Sequence, residues 1–377
     1  MRGPFQTNPW PGGHCTRAGV TGLTSRAPAT EQSRGRKHGR ALSAIGTRFA
    51  FRRDVLTPHE PTPAPKTAAT VEPIRWFRPL IPTALGNCVA DHVCMAKYKL
   101  RTGQKIGWVF DPAIDFHADL AVCNPHLDAA CAVGDFRGDP NALPEPSFGR
   151  IWNYLIENTE PAGLEIPEHI AEKVLTQLGA RGLSPGDRII TIHAREPGYK
   201  YYTPAHEPER FVSPEPFMRL AEYWADRGFK VVRIGDPSCT PFPSHPRIVD
   251  AAHWQGKRLI HDLVLIGLSD ALVATDSGVW PIGVALGTPT LLSNSCHGQP
   301  AHGTLSHWFP WEPGHAVLNK RLFVHGEAVP AEVGVNLFEG RRWREIAGVT
   351  RLEDNTLDEL IEATTRLLVR HGKETRA

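Results

Sequence analysis

The strongest constraint on the fold lies between Arg188 and Asn294, where short β-branched runs alternate with helix-length segments. Ile189-Ile190-Thr191-Ile192 precedes a helical pattern over 214–227, with Phe217, Leu220, Ala221 and Trp224 at i, i+3, i+4 and i+7. Ser213 is expected as that helix's N-cap, Pro214 as its first residue and Gly228 as its stop. A strand over 229–234, a helix over 258–268, a strand over 271–275, a helix over 279–286 and a strand over 289–292 follow. Parallel strands need crossover helices, so this rhythm predicts a doubly wound parallel α/β sheet.

The same pattern is weaker upstream. Ile74–Phe77, a helix over 88–100 and a strand over 105–110 make a βαβ unit. A helix is also expected over 167–179. The chain then divides into a disordered basic segment (1–70), an N-terminal α/β domain on the acceptor side (71–165), a C-terminal ligand-binding α/β domain (166–345) and a C-terminal helix (346–377). Asn355 is expected to cap that helix, with Leu357, Leu360, Ile361 and Leu368 inward, and the helix to span back to the first domain. The architecture expected is thus α/β, with two Rossmann-like lobes.

Charge is distributed unevenly. The net charge is +2, yet residues 1–70 hold 11 Lys/Arg against 3 Asp/Glu, leaving 31 against 37 for the rest. The mildly acidic remainder argues against nucleic acid as a partner. The basic segment, rich in Gly, Pro and Ser, lacks the apolar surface to offset its ordering entropy. Its other readings are peripheral association with an acidic membrane surface, a transit peptide, or a start codon placed too early. Seven scattered cysteines without a C-x-x-C pair suit a reducing, cytoplasmic setting. No apolar stretch has the length of a transmembrane segment.

In an open parallel sheet, ligands bind beyond the carboxyl ends of the strands. Three polar clusters fall there: His193/Arg195/Glu196, Asp236/Ser238 and Asp276/Ser277/Gly278. Arg195 offers a permanent planar cation suited to a diphosphate, and can stabilise charge on a leaving nucleoside diphosphate without a metal. Its bland alternative is a salt bridge at the sheet edge; for His193 it is a hydrogen-bonded filler. Glu196 is the nearest carboxylate to serve as a base, against a default of solvated surface acid. Asp236 suits a ribose or base contact, or else initiates an Asp-Pro turn. Asp276, Ser277 and Gly278 open a helix whose N–H groups favour phosphate, Gly278 letting the backbone approach closely. Tyr199, Tyr201 and Tyr202 are candidates for an acceptor cleft, and His297, His302, His307, Trp308 and Trp311 for sugar stacking, with loop packing the plainer reading for both groups. No D-x-D or H-E-x-x-H motif is present, so neither a metal nor a cofactor is expected.

These residues carry a resemblance. I-I-T-I-H-A-R-E-P-G-Y (189–199), V-V-R-I-G-D-P-S-C-T-P-F-P (231–243), S-D-A-L-V-A-T-D-S-G (269–278) and L-G-T-P-T-L-L-S-N (286–294), with Leu318–Leu322, resemble a group of bacterial glycosyltransferase-like proteins found near surface-polysaccharide genes. The layout is more distantly similar to fucosyltransferases of the core-fucose and nodulation type. That resemblance implies a GT-B-type fold, Arg195 on the diphosphate of a nucleotide sugar, His193 beside it, Asp236 near the nucleoside, a glycan or glycoconjugate acceptor, and inversion at the sugar carbon. Thr275-Asp276-Ser277-Gly278 departs from the fucosyltransferase pattern. Heptosyltransferases share D-[T/S]-G-x-x-H, but Pro281 stands at the His position; nucleotide-sugar epimerases share T-D-S-G without the residues that follow. A metal-independent glycosyltransferase is the leading expectation, with an epimerase or a non-catalytic nucleotide-binding scaffold as alternatives.

Overall fold

A computed structural model describes residues 73–79, 81–137, 145–146, 162–184, 186–198, 210–296, 314–329 and 350–373. All belong to one compact unit, Arg40–Ala377. The disorder expected for 1–70 concerns residues outside the described set.

Two parallel sheets carry the chain. The first joins β1 (Arg75–Arg78), β2 (Ile106–Phe110), β3 (Ala129–Ala132) and β4 (Glu145–Pro146) in the order β3-β2-β1-β4. Helix α1 (Leu85–Thr102) crosses from β1 to β2 and stops at Gly103, which takes the left-handed conformation (φ 71°). The short α2 (His117–Val122) follows β2.

The second sheet contains β5 (Ile189–His193), β6 (Lys230–Arg233), β7 (Ile248–Asp250), β8 (Ala271–Thr275), β9 (Thr290–Ser295) and β10 (Ala316–Asn319). Its order is β10-β9-β8-β5-β6-β7, all parallel. Every residue of β5 and β8 is buried, as expected for central strands covered on both faces. The chain runs from β5 outward to β7, then returns to β8 on the other side of β5 and runs outward to β10. The order therefore reverses between β5 and β8, a topological switch point where a crevice opens beyond the strands. The sequence pattern marks β5, β6, β8 and β9 but not the short β7 and β10.

Helices α3 (Glu168–Gly179), α4 (Glu215–Asp226), α5 (Leu259–Leu268) and α6 (Trp280–Ala285) cover the sheet. In α4 the expected face is buried, with Phe217, Leu220, Ala221 and Trp224 inside. Its cap lies one residue later than expected: Pro214 occupies the cap position, while Ser213 Oγ accepts from the Glu215 N–H at 3.4 Å.

A small antiparallel sheet, β11 (Arg321–Val324) between β12 (Glu327–Val329) and β13 (Thr350–Glu353), precedes α7 (Leu357–Arg370). The cap of α7 is not Asn355. Thr356 and Glu359 form a reciprocal capping box, whereas Asn355 clasps the end of β9. Its side chain accepts from the Asn294 N–H and its own N–H donates to Asn294 Oδ1, both at 2.7 Å. Nor, in the core among the described residues, does α7 join the first sheet. It packs on α4, β8, β9 and β10, burying Leu360, Leu367 and Leu368 against Val273 and Leu291. Replacing Thr356 by alanine should remove about 1 kcal/mol of stability, read as a lower midpoint in urea denaturation.

One continuous core joins the two parallel sheets, running from Phe77, Met95 and Trp108 to Val232, Leu272 and Ile282. Polar and backbone contacts accompany it. The Leu164 N–H donates to the Ala285 carbonyl at 2.9 Å and the Glu165 N–H to the Cys123 carbonyl at 2.8 Å. Asp119 on α2 accepts from the Ile260 N–H at 3.1 Å in the first turn of α5 and pairs with Arg258. Gly86 on α1 faces Gly278: a Cβ built on Gly278 lies 2.8 Å from Gly86 N. Among the described residues no helix is long and apolar enough to cross a membrane, and all six described cysteines are free.

Candidate functional site

The register pairs Ile192 with Val273 and His193 with Ala274, so the two organising clusters leave the sheet side by side at the switch point. The Arg195 N–H donates to Thr275 Oγ1 at 2.8 Å, tying the two strand ends together. The Arg195 guanidinium reaches further, to the Asp276 carbonyl at 3.1 Å, with the Phe211 ring centroid 5.6 Å away.

A second arginine converges on the same carbonyl. Arg210 Nε donates to the Asp276 carbonyl at 3.0 Å, and Arg210 Nη2 pairs with Asp276 Oδ1 at 2.9 Å. Asp276 Oδ2 accepts from the Cys296 N–H at 3.4 Å. The carboxylate expected to open a phosphate-binding turn is thus buried and holds Arg210 in place. Sequence reasoning missed Arg210, which lies in a polar loop without spacing that sets it apart. Lys320, in the segment noted for its lysine, supports this arrangement from behind. Its ammonium donates to the Phe211 carbonyl at 2.9 Å and pairs with Asp354 at 2.7 Å.

Ser277 Oγ accepts from the Val279 N–H at 3.2 Å, closing the turn into α6. Gly278 allows a close approach, but its partner is the chain itself: the added Cβ would meet Gly86 N and Leu85 Cβ at 2.8 and 2.9 Å.

His193 is buried, with Nδ1 3.3 Å from the Ile234 carbonyl. A carbonyl only accepts, so Nδ1 carries the proton and Nε2 keeps a lone pair. Burial, aided by the positive charges of Arg233, Lys257 and Arg195, lowers the imidazole pKa from 6.5 to about 3, against the opposing effect of the Ile234 bond. Between pH 6.5 and about 3 the unfolded chain binds a proton there that the folded chain does not. Stability should therefore fall as the pH drops through this window. Denaturation midpoints measured from pH 7 to 4 should decline less steeply in His193→Gln than in the unaltered chain.

Glu196 is also buried, and both of its oxygens are engaged. Oε1 accepts from Arg233 at 2.6 Å, while Oε2 accepts from the Thr240 N–H at 2.9 Å and from the Thr240 hydroxyl. It is not a solvated surface acid. Asp236 heads a turn: its Oδ1 accepts from the Ser238 N–H and its carbonyl from the Cys239 N–H, both at 3.0 Å. Ser238 is exposed on that turn. The structure thus places His193, Arg195, Glu196, Asp276, Ser277 and Gly278 at the β5 and β8 ends, with Asp236 and Ser238 on the next loop beyond β6. Tyr199, Tyr201, Tyr202, His297, His302, His307, Trp308 and Trp311 lie outside the described residues. Among the described residues no group of three or more His, Cys, Asp or Glu is arranged to hold a metal ion.

Neither a protein-family model nor a curated protein matches the sequence. Solved structures do share the fold. A glycosyl transferase of family 9 from Veillonella parvula superimposes with a TM-score of 0.52 at 13% identity, covering 79% of this chain and 99% of that one. The ADP-heptose LPS heptosyltransferase II of E. coli gives 0.49 at 14% identity over 78% and 98% of the two chains. The E. coli heptosyltransferase WaaC with ADP gives 0.40 at 11% identity over 79% and 99%. The first of these places the chain among α/β structures of the two-lobed GT-B type; the other two lie too far from it to add support.

Proposed function

We infer that the chain is a glycosyltransferase that moves a sugar from a nucleoside-diphosphate donor to a glycan or glycoconjugate acceptor without a metal ion. The observation carrying this reading is the convergence of Arg195 and Arg210 on the Asp276 carbonyl at the β5/β8 switch point. The fold shared with a family 9 glycosyl transferase supports it. In transfer, the acceptor oxygen bonds to the sugar carbon and the bond from that carbon to the diphosphate breaks. The electron pair stays on the departing phosphate oxygen, and the hydroxyl proton passes to a base. Two guanidinium forks at that oxygen supply the charge that a metal supplies elsewhere. Neutral His193, held through Nδ1 on the Ile234 carbonyl, keeps Nε2 as an acceptor at the β5 end, and Asp236 with Ser238 faces the nucleoside. Asp276 and Ser277 act on the donor indirectly, Asp276 through Arg210. In this reading Glu196 serves the fold rather than the proton transfer, because both of its oxygens already accept from Arg233 and Thr240.

The test is a thermal-shift screen of the full chain against GDP, UDP, ADP, dTDP and CMP, with and without EDTA. A rise in melting temperature with one diphosphate that survives EDTA is the expected result and names the donor base. No rise with any of them would overturn the reading.

A further inference from the structure

Arg233 differs from the two site arginines in that no part of it reaches solvent. A buried charge is costly unless it is paired, and this one is paired on two sides. Glu196 Oε1 lies 2.6 Å from Nη2, and Asp250 Oδ1 lies 3.7 Å from Nη1. The Phe242 ring centroid stands 5.0 Å from the guanidinium carbon.

Each partner also grips the segment after β6. Glu196 Oε2 takes the N–H and hydroxyl of Thr240, and Asp250 Oδ2 takes the Phe242 N–H at 2.9 Å. The start of the segment is pinned as well, with the Ile234 carbonyl on His193 and the Gly235 carbonyl on Lys257 Nζ at 2.6 Å. The backbone is therefore anchored at Ile234, Gly235, Thr240 and Phe242. Between these anchors Asp236 is half-buried and Pro237 and Ser238 are exposed.

We propose that Arg233 is a positioning residue. Through Glu196 and Asp250 it holds Asp236–Phe242 as a preformed rim beside the β5 strand end, and that rim sets the affinity for the nucleoside diphosphate. The proposal rests on the nucleotide reading given above. A rim fixed before binding spares the ligand the entropy of ordering it. Arg233 itself touches no ligand.

The experiment uses the full chain with Glu196→Gln, Thr240→Val and Thr240→Ser, because Arg233 substitutions risk unfolding by stranding buried carboxylates. Amide hydrogen exchange is measured without ligand, and the dissociation constant is measured for the diphosphate identified in the thermal-shift screen. Glu196→Gln should raise exchange in 236–242 about tenfold while the helices keep their protection, since only local opening is affected. The dissociation constant should rise by about tenfold in parallel, as lost preorganisation predicts. Thr240→Val should shift both in the same direction, and Thr240→Ser should restore both. Unchanged exchange in 236–242 overturns the role of Arg233 as the holder of the segment. Raised exchange with an unchanged dissociation constant overturns the link between the rim and affinity. An unaltered chain that binds no diphosphate overturns the nucleotide reading before any variant is made, and the exchange measurement still decides whether the Arg233 assembly holds the segment.

Discussion

Replacing Arg195 by alanine should lower turnover by about 10²–10³-fold, the usual effect of losing one donor aimed at developing oxyanion charge. The melting temperature should change little. The backbone of Arg195 stays tied to Thr275 Oγ1, and the Asp276 carbonyl keeps its bond from Arg210. Arg195→Lys should recover only part of the loss, because an ammonium cannot bridge a diphosphate as a planar fork does. The measurements are sugar transfer from the donor identified by nucleotide binding, and thermal unfolding of both variants. Early melting at normal turnover would make Arg195 a structural member of the sheet edge.

The second large effect concerns Gly278. A methyl group there would come within 2.8 Å of Gly86 N and 2.9 Å of Leu85 Cβ, at the first turn of α1. Backbone at a helix start cannot swing aside as the end of a side chain can. Gly278→Ala should therefore cost about 1–3 kcal/mol, the range for overpacking a filled interior, and lower the melting temperature by several degrees. The reciprocal Gly86→Ala meets Gly278 Cα at 3.1 Å and should be milder. The packing of the chain on itself thus accounts for Gly278 without the approach of a diphosphate. If Gly278→Ala melted normally and lost only nucleotide affinity, the diphosphate role would be restored.

Period and punctuation made much of the second sheet legible. β5, β6, β8 and β9 each centre on a short apolar or β-branched run, and α4 shows its buried stripe in every turn. β7 and β10 escaped because each is a short edge strand only partly buried along its length, and so lacks the apolar centre that marks β6. Neighbouring positions in the chain also mislead. Asn355 has the residue type of a cap, yet Thr356 and Glu359 carry the S/T-x-x-E signature that forms the capping box. The candidate site was legible in position but not in partnership. The ends of β5 and β8 announced a shared edge, whereas the pairing of Asp276 with Arg210 and of Glu196 with Arg233 spans 66 and 37 residues. Contacts of that separation leave no periodic trace. Gly278 is recognisable as a point of close approach, but a single sequence does not say which surface approaches.

The mutual clasp of Asn294 and Asn355 links positions 61 residues apart, and Lys373 reaches back to Asp270. Ribosomes add about 5–20 residues per second, so several seconds separate the emergence of β9 from that of α7. Throughout that delay the side of β8 and β9 bearing Val273 and Leu291 lacks the helix that later covers it. A nascent chain in this state presents a sticky strip to chaperones or to other copies. A message truncated before codon 355 would yield a product with the arginine pair encoded but its supporting sheet uncovered. Such a product should be cleared by proteases, so α7 is expected to decide whether the sheet it covers survives in the cell.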